Sequence, residues 1–130
     1  MKKADVFDYL SWRGDLTFAQ SAFNEIDSLI LSVFAYLDYS FAQEKNAVQF
    51  RDAVAVINRT TDKLKFDGPN MMMRSVIELA SAAAIFPRFR DMEVSHFFAV
   101  TDEEKEIQFA AVTFLLSDKT AFLSFRGTDN

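Results

Sequence analysis

Two runs late in the chain, Phe109-Ala110-Ala111-Val112 and Phe114-Leu115-Leu116, put apolar side chains on both faces of any strand they form. Successive strand residues point to opposite sides of a sheet, so such a strand needs cover above and below. The stretch Ile107 to Leu116 and the β-rich run Thr120 to Phe125 flank Ser117-Asp118-Lys119, which predicts a hairpin. Asp-Lys is weaker turn chemistry than Asp-Gly, so the hairpin rests on its flanking strands. The apolar, aromatic run Val94 to Val100 predicts a further strand, joined to the hairpin by the acidic stretch Thr101 to Glu106. Three strands with two apolar faces want more strands and helices than a chain of 130 residues supplies. The expectation is a fragment of a larger sheet, with a final strand whose free edge invites self-association.

The first two thirds are helical in pattern, so residues 1–87 are expected to be mainly helix and 94–126 to be three strands. Asp5 to Trp12 predicts one or two helical turns, ended by Gly14 as a left-handed C-cap. Phe23, Ile26, Ile30, Val33, Phe34 and Leu37 recur at helical spacing and predict a helix over Ala22 to Asp38. Another is expected over Gln43 to Asn58, with Val48, Ala55 and Val56 inward and Glu44, Lys45, Arg51 and Asp52 outward. Asp67-Gly68-Pro69-Asn70 is a compact turn signal. Met71 to Ala84 then predicts a third long helix, with Asn70 as N-cap and Pro87 ending the segment.

Composition narrows the function classes. Half the residues are hydrophobic and fifteen are Phe, enough for a sizeable core. A formal charge of −5 offers no basic footprint for nucleic acid. Cysteine is absent, which removes disulfides, thiolate catalysis and thiolate metal sites, and fits a reducing cytoplasm. Met1-Lys2-Lys3 leads into Ala4-Asp5-Val6-Phe7-Asp8, whose acidic residues break any secretory apolar run. The most apolar stretches, Leu29 to Leu37 and Ile107 to Leu116, fall short of the roughly 20 residues that span a bilayer. A cytoplasmic protein is expected.

Several segments carry a resemblance. Phe125-Arg126-Gly127-Thr128 after an apolar strand resembles the segment of class 3 lipases in which a strand ends in an Arg-Gly-Ser or Arg-Gly-Thr turn. The whole chain is similar to the start of a bacterial lipase-like family of α/β-hydrolases of uncharacterised function. The matching segments are Asp8 to Phe18, Phe23 to Ser32, Tyr36-Leu37-Asp38, Arg88-Phe89-Arg90-Asp91 and Gln108 to Phe114. The resemblance implies that residues 1–130 are the N-terminal portion, about a third, of a single α/β-hydrolase domain. It looks α+β when seen by itself. The implied substrate is a small-molecule or lipid ester, with no cofactor and no metal.

The resemblance also assigns roles. Thr128 becomes an oxyanion-hole donor, Gly127 allows a tight backbone path, and Arg126 and Asp129 support the loop that ends in Asn130. Acyl transfer builds negative charge on a carbonyl oxygen, and one preorganised donor there is worth roughly 3 kcal/mol. The nucleophile elbow, Gly-x-Ser-x-Gly or a relative, belongs later in such a chain, and the triad histidine later still. The three glycines here, Gly14, Gly68 and Gly127, flank no serine at that spacing. This chain alone is therefore expected to be inactive. Without the resemblance, Thr128 reads as a turn residue capping the next element.

Other candidates have plainer readings. His96, the one histidine, lacks a nucleophile and an orienting carboxylate, and pairs with Glu93 or Asp91 too sparsely for a metal site. Arg13-Gly14-Asp15 reads as a helix end with flanking charges. Asp102-Glu103-Glu104-Lys105-Glu106 reads as a solvated turn, lacking the glycine of a calcium loop. Met71-Met72-Met73 and the aromatic set Phe18, Phe23, Phe34, Tyr36, Tyr39 and Phe41 read as core before acyl pocket or lid. The competing view of the whole chain is a complete small α+β interaction module without catalysis.

Overall fold

The computed structural model describes residues 5–42, 47–61, 71–105 and 107–129. The first helix, α1 (Val6–Arg13), begins with a reciprocal cap in which the Asp5 carboxylate accepts from the Asp8 N–H and Asp8 accepts from the Asp5 N–H. These bonds satisfy two of the amides that every helix start leaves open. Gly14 follows in the right-handed region, at φ −62°, instead of the left-handed cap that the sequence suggests. The need for glycine is steric. A Cβ at Gly14 would lie 2.5 and 2.6 Å from two ring carbons of Phe86.

Helix α2 (Glu25–Phe34) is shorter than the periodicity predicts, because Asn24 caps it. Asn24 accepts from the Ile26 and Asp27 amides, and Asp27 accepts in return from the Asn24 N–H. The buried stripe is Asp27, Ile30, Leu31 and Phe34. Ile26, one of the periodic apolar residues, is exposed, and a carboxylate, Asp27, holds the core position beside it. The chain then tightens through a 3-10 turn, Ser40–Ala42, where the buried Tyr39 hydroxyl donates to the Phe34 carbonyl at 2.8 Å.

The helix expected over 43–58 divides differently. Val48–Gln49 is a short strand, β1, and α3 (Phe50–Thr60) starts only after it. Phe50 N–H donates to Met92 O at 2.7 Å, so pairing with the sheet fixes where α3 can begin. Its inward stripe is Phe50, Ala53, Val54 and Ile57, while Ala55 is exposed and Val48 and Val56 are half-buried. Glu44, Lys45 and the 67–70 turn, with Asn70 as cap, lie outside the described residues. Helix α4 (Met71–Ala83) and the four-residue α5 (Pro87–Arg90) complete the helical layer, with Pro87 in the first turn of α5.

Three longer strands follow: β2 (Glu93–Asp102), β3 (Ile107–Leu115) and β4 (Ala121–Asp129). With β1 they form a four-stranded antiparallel sheet in the order β1-β2-β3-β4, one strand more than the sequence suggests. The fold is thus mixed α+β. The hairpin closes where expected: Lys119 takes φ 68°, and Leu116 exchanges backbone bonds with Lys119 and Thr120. The helices pack on one face of the sheet, which buries Val94, Ala110, Val112, Phe114 and Ser124. Among the described residues no helix is long and apolar enough to cross a membrane.

One polar cluster ties the helical layer together. Arg88 and Asp27 are both buried with no side-chain exposure, and Nη2 lies 2.6 Å from Oδ2 while Nε lies 2.9 Å from Oδ1. Arg88 also donates to the carbonyls of Leu16, Thr17, Ser21 and Ala22, and its guanidinium stacks 4.1 Å above Phe18. The Tyr9 hydroxyl donates to Asp27 and accepts from Asn24. Burial pulls the guanidinium down, but the hydrogen bonds and charge of Asp27 outweigh it and raise Arg88 above its ordinary value.

Removing one partner of a buried pair leaves an uncompensated charge and costs about 3–5 kcal/mol. Asp27→Asn is expected to lose that much in urea denaturation, and the double variant Asp27→Asn/Arg88→Met much less than the two single losses combined. Additive losses would show that the pair is not one unit. Gly14→Ala is expected to cost about 1–3 kcal/mol through overpacking against Phe86, measured by the same denaturation.

Candidate functional site

The residues singled out by the Arg-Gly-Thr resemblance lie on β4, the outer strand of the described sheet. The sequence places a strand end at Phe125 and a loop after it. In the structure the strand runs on to Asp129, and the oxyanion-loop expectation is corrected to that extent. The reason is that β3 supplies backbone partners all the way: Ala110 faces Arg126, Phe109 faces Gly127, Gln108 faces Thr128 and Ile107 faces Asp129. Gly127 sits in ordinary strand backbone. A Cβ added there would meet nothing closer than Gln108 O at 3.8 Å, so the fold itself does not demand glycine.

Alternation along β4 sends Phe122, Ser124 and Arg126 toward the helices and Leu123, Phe125 and Gly127 to the other side. Two of the helix-facing residues grip α2 and the turn after it. Buried Ser124 donates from Oγ to Leu31 O at 3.0 Å, and Arg126 donates from Nη1 to Tyr36 O at 2.7 Å. Ser124 carries no motif, and the sequence gives no signal for its role. Arg126 is half-buried and walls two cavities. One, of about 610 Å³, is lined chiefly by Leu37, Phe41, Val56, Ile57 and Ile77. The other, of about 270 Å³, lies between Met72, Val100, Phe109 and Gly127. Burial drives the Tyr39 phenol well above its ordinary value, against the opposing charge of Arg126.

The other sequence candidates scatter. His96 is exposed at a bulge in β2, with φ 54°, a left-handed conformation uncommon outside glycine. Its Nδ1 lies within hydrogen-bond distance of Ser95 Oγ, at 2.8 Å. Among the described residues no group of three or more His, Cys, Asp or Glu is placed to hold a metal ion. Asp102 accepts from the Lys105 N–H and closes the acidic turn. Met73 is half-buried and packs against the core, as expected, while also lining a cavity; Met72 is exposed and lines the other. Of the aromatic set, Phe18, Phe34 and Tyr39 are buried, while Phe23, Tyr36 and Phe41 are half-buried against them.

The sheet face away from the helices is largely bare. Phe98, Leu123 and Phe125 are 55%, 53% and 54% exposed, and Val100 and Phe109 also reach solvent. Phe109 contacts Phe98 and Phe125 at ring-centroid distances of 6.3 and 5.7 Å, forming an aromatic row across three strands. Large exposed apolar patches are a common feature of contact surfaces between proteins.

A match to a known family falls in the C-terminal part of the chain. A family model described as Mbeg1-like matches residues 83–130, from the end of α4 through β4. That stretch is less than half of the chain. No curated protein and no solved structure matches it.

Proposed function

We propose that this chain is the N-terminal part of a lipase-like α/β-hydrolase, resident in the cytoplasm, in which β4 carries the oxyanion side of an ester-hydrolysing site. The observation that carries this reading is the exposed aromatic face beside a β4 edge that pairs with no further strand among the described residues. A sheet finished on one side and apolar on the other suits one that further strands and helices complete. The proposed chemistry belongs to Gly127 and Thr128, at the end of that edge strand. There a backbone or hydroxyl donor would stabilise the charge that develops on the substrate carbonyl oxygen. Arg126, bonded to Tyr36 O, would brace the strand end from the helix side. The nucleophile, its histidine and its acid would come from sequence beyond Asn130.

The same face supports a second reading, a non-catalytic α+β module that docks a protein through the aromatic row. The two readings part on activity. A polypeptide that continues in the natural reading frame past Asn130 is expected to hydrolyse p-nitrophenyl esters, and the 130-residue chain to show no turnover. In the longer protein, Thr128→Val should lower kcat by about 10²-fold. Gly127→Ala should change stability by no more than about 0.5 kcal/mol, given the room around it, while reducing kcat. An active longer protein indifferent to both substitutions would remove the oxyanion role, and a stop codon after Asn130 would favour the docking module.

The 130-residue chain is also expected to self-associate through the bare face and free edge. Light scattering after size exclusion should show oligomers that the Phe98→Thr/Phe125→Thr variant reduces. A strict monomer at high concentration would contradict this.

A further inference from the structure

We propose that Arg126 anchors the carboxylate of a straight-chain fatty acid, whose alkyl tail lies in the cavity walled by Leu37, Phe41, Val56, Ile57 and Ile77. The guanidinium carries five N–H donors in a planar fork that suits a carboxylate. Among the described residues one of them is engaged, with Tyr36 O, and no carboxylate lies within 4.0 Å of the group. A half-buried cation with no carboxylate in contact among the described residues is held at a cost that a bound anion relieves. Arg88, whose guanidinium is fully buried, shows the contrast: it is closed off by Asp27 and four carbonyls.

The cavity beside Arg126 fits the rest of the ligand. Its volume of about 610 Å³ falls in the range of small-molecule sites. Its walls are mainly aliphatic and aromatic, with Met73 able to adjust its shape to a chain. Besides Arg126 and Tyr36, the polar residues that line it are Asp38, Ser40, Thr60 and Thr61. Asp38 lines the same cavity, and its Oδ1 accepts from the Ser40 N–H at 3.0 Å. Its charge repels an anion, so the head group belongs at Arg126 and the site's affinity is a balance of the two charges. The site needs no nucleophile, so it stands or falls separately from the hydrolase reading.

Titration of the 130-residue chain with sodium decanoate, followed through the methyl resonances of Met73 and Ile77, tests the proposal. Saturable shifts at both methyls are expected. 1-Decanol, which has the same tail without the charge, should bind at least about 10-fold more weakly, and Arg126→Gln should impose a similar loss on decanoate. Asp38→Asn keeps an acceptor for Ser40 and should tighten decanoate binding about threefold. The proposal is overturned if decanol binds as well as decanoate, if the shifts do not saturate, or if they fall instead on Phe98, Phe109 and Phe125. An Arg126→Gln variant that binds decanoate like the unaltered chain overturns it too. Should that variant fail to fold, the decanol comparison and Asp38→Asn decide alone.

Discussion

The buried ion pair between Asp27 and Arg88 is the constraint on which the rest of the molecule hangs. Asp27 caps the start of α2, takes the Tyr9 hydroxyl from α1 and neutralises Arg88 from α5. Arg88 in turn collects four carbonyls from the segment joining α1 to α2. One residue pair therefore sets the positions of three helices and a loop that has no regular structure of its own. Such a cluster gains little net stability over a well-packed apolar one. Its physical value lies in specificity, because only one arrangement satisfies every donor and acceptor at once.

From that anchor the order passes to the sheet. α2 presents the Leu31 carbonyl to Ser124, and the turn after α2 presents the Tyr36 carbonyl to Arg126. Both bonds reach β4 from the helix side, so the end of β4 is held while its other face stays open. Among the described residues the sheet is thus covered on one face and bare on the other. That asymmetry is what the functional readings share: a sheet awaiting further elements, or a surface awaiting a partner.

Much of this was legible in the sequence, and the failures have physical causes. The doubly apolar strands announced a sheet needing two covers, and the structure shows Ala110, Val112 and Phe114 under helices while Phe98 and Phe125 stay exposed. The hairpin at Ser117 to Lys119 was readable because its flanking strands were. The periodic apolar set of α2 held for Ile30, Phe34 and Leu37 but included the exposed Ile26 and missed Asp27, because periodicity counts only apolar residues. α3 was misplaced because a two-residue strand gives no periodic signal, yet its pairing with β2 decides where the helix starts. Gly14 was rightly marked as special but for the wrong reason, since its closeness to Phe86 is a tertiary fact. Three of the five segments that carried the family resemblance, Asp8 to Phe18, Phe23 to Ser32 and Arg88 to Asp91, are joined by the Asp27–Arg88 cluster. Their distinctive residues can thus be explained by architecture alone. The Arg-Gly-Thr motif was visible as a pattern, but its continuation as strand depended on the length of β3.

The measurement that tests this account most directly is amide hydrogen exchange on the Asp27→Asn chain, compared with the unaltered one under native conditions. If the ion pair sets the helical layer and, through Leu31 and Tyr36, the end of β4, protection should fall in α1 and α2 and also along the β3–β4 ladder. Loss confined to the helices, with the β3–β4 ladder as protected as before, would contradict the claim that the candidate site depends on the buried pair.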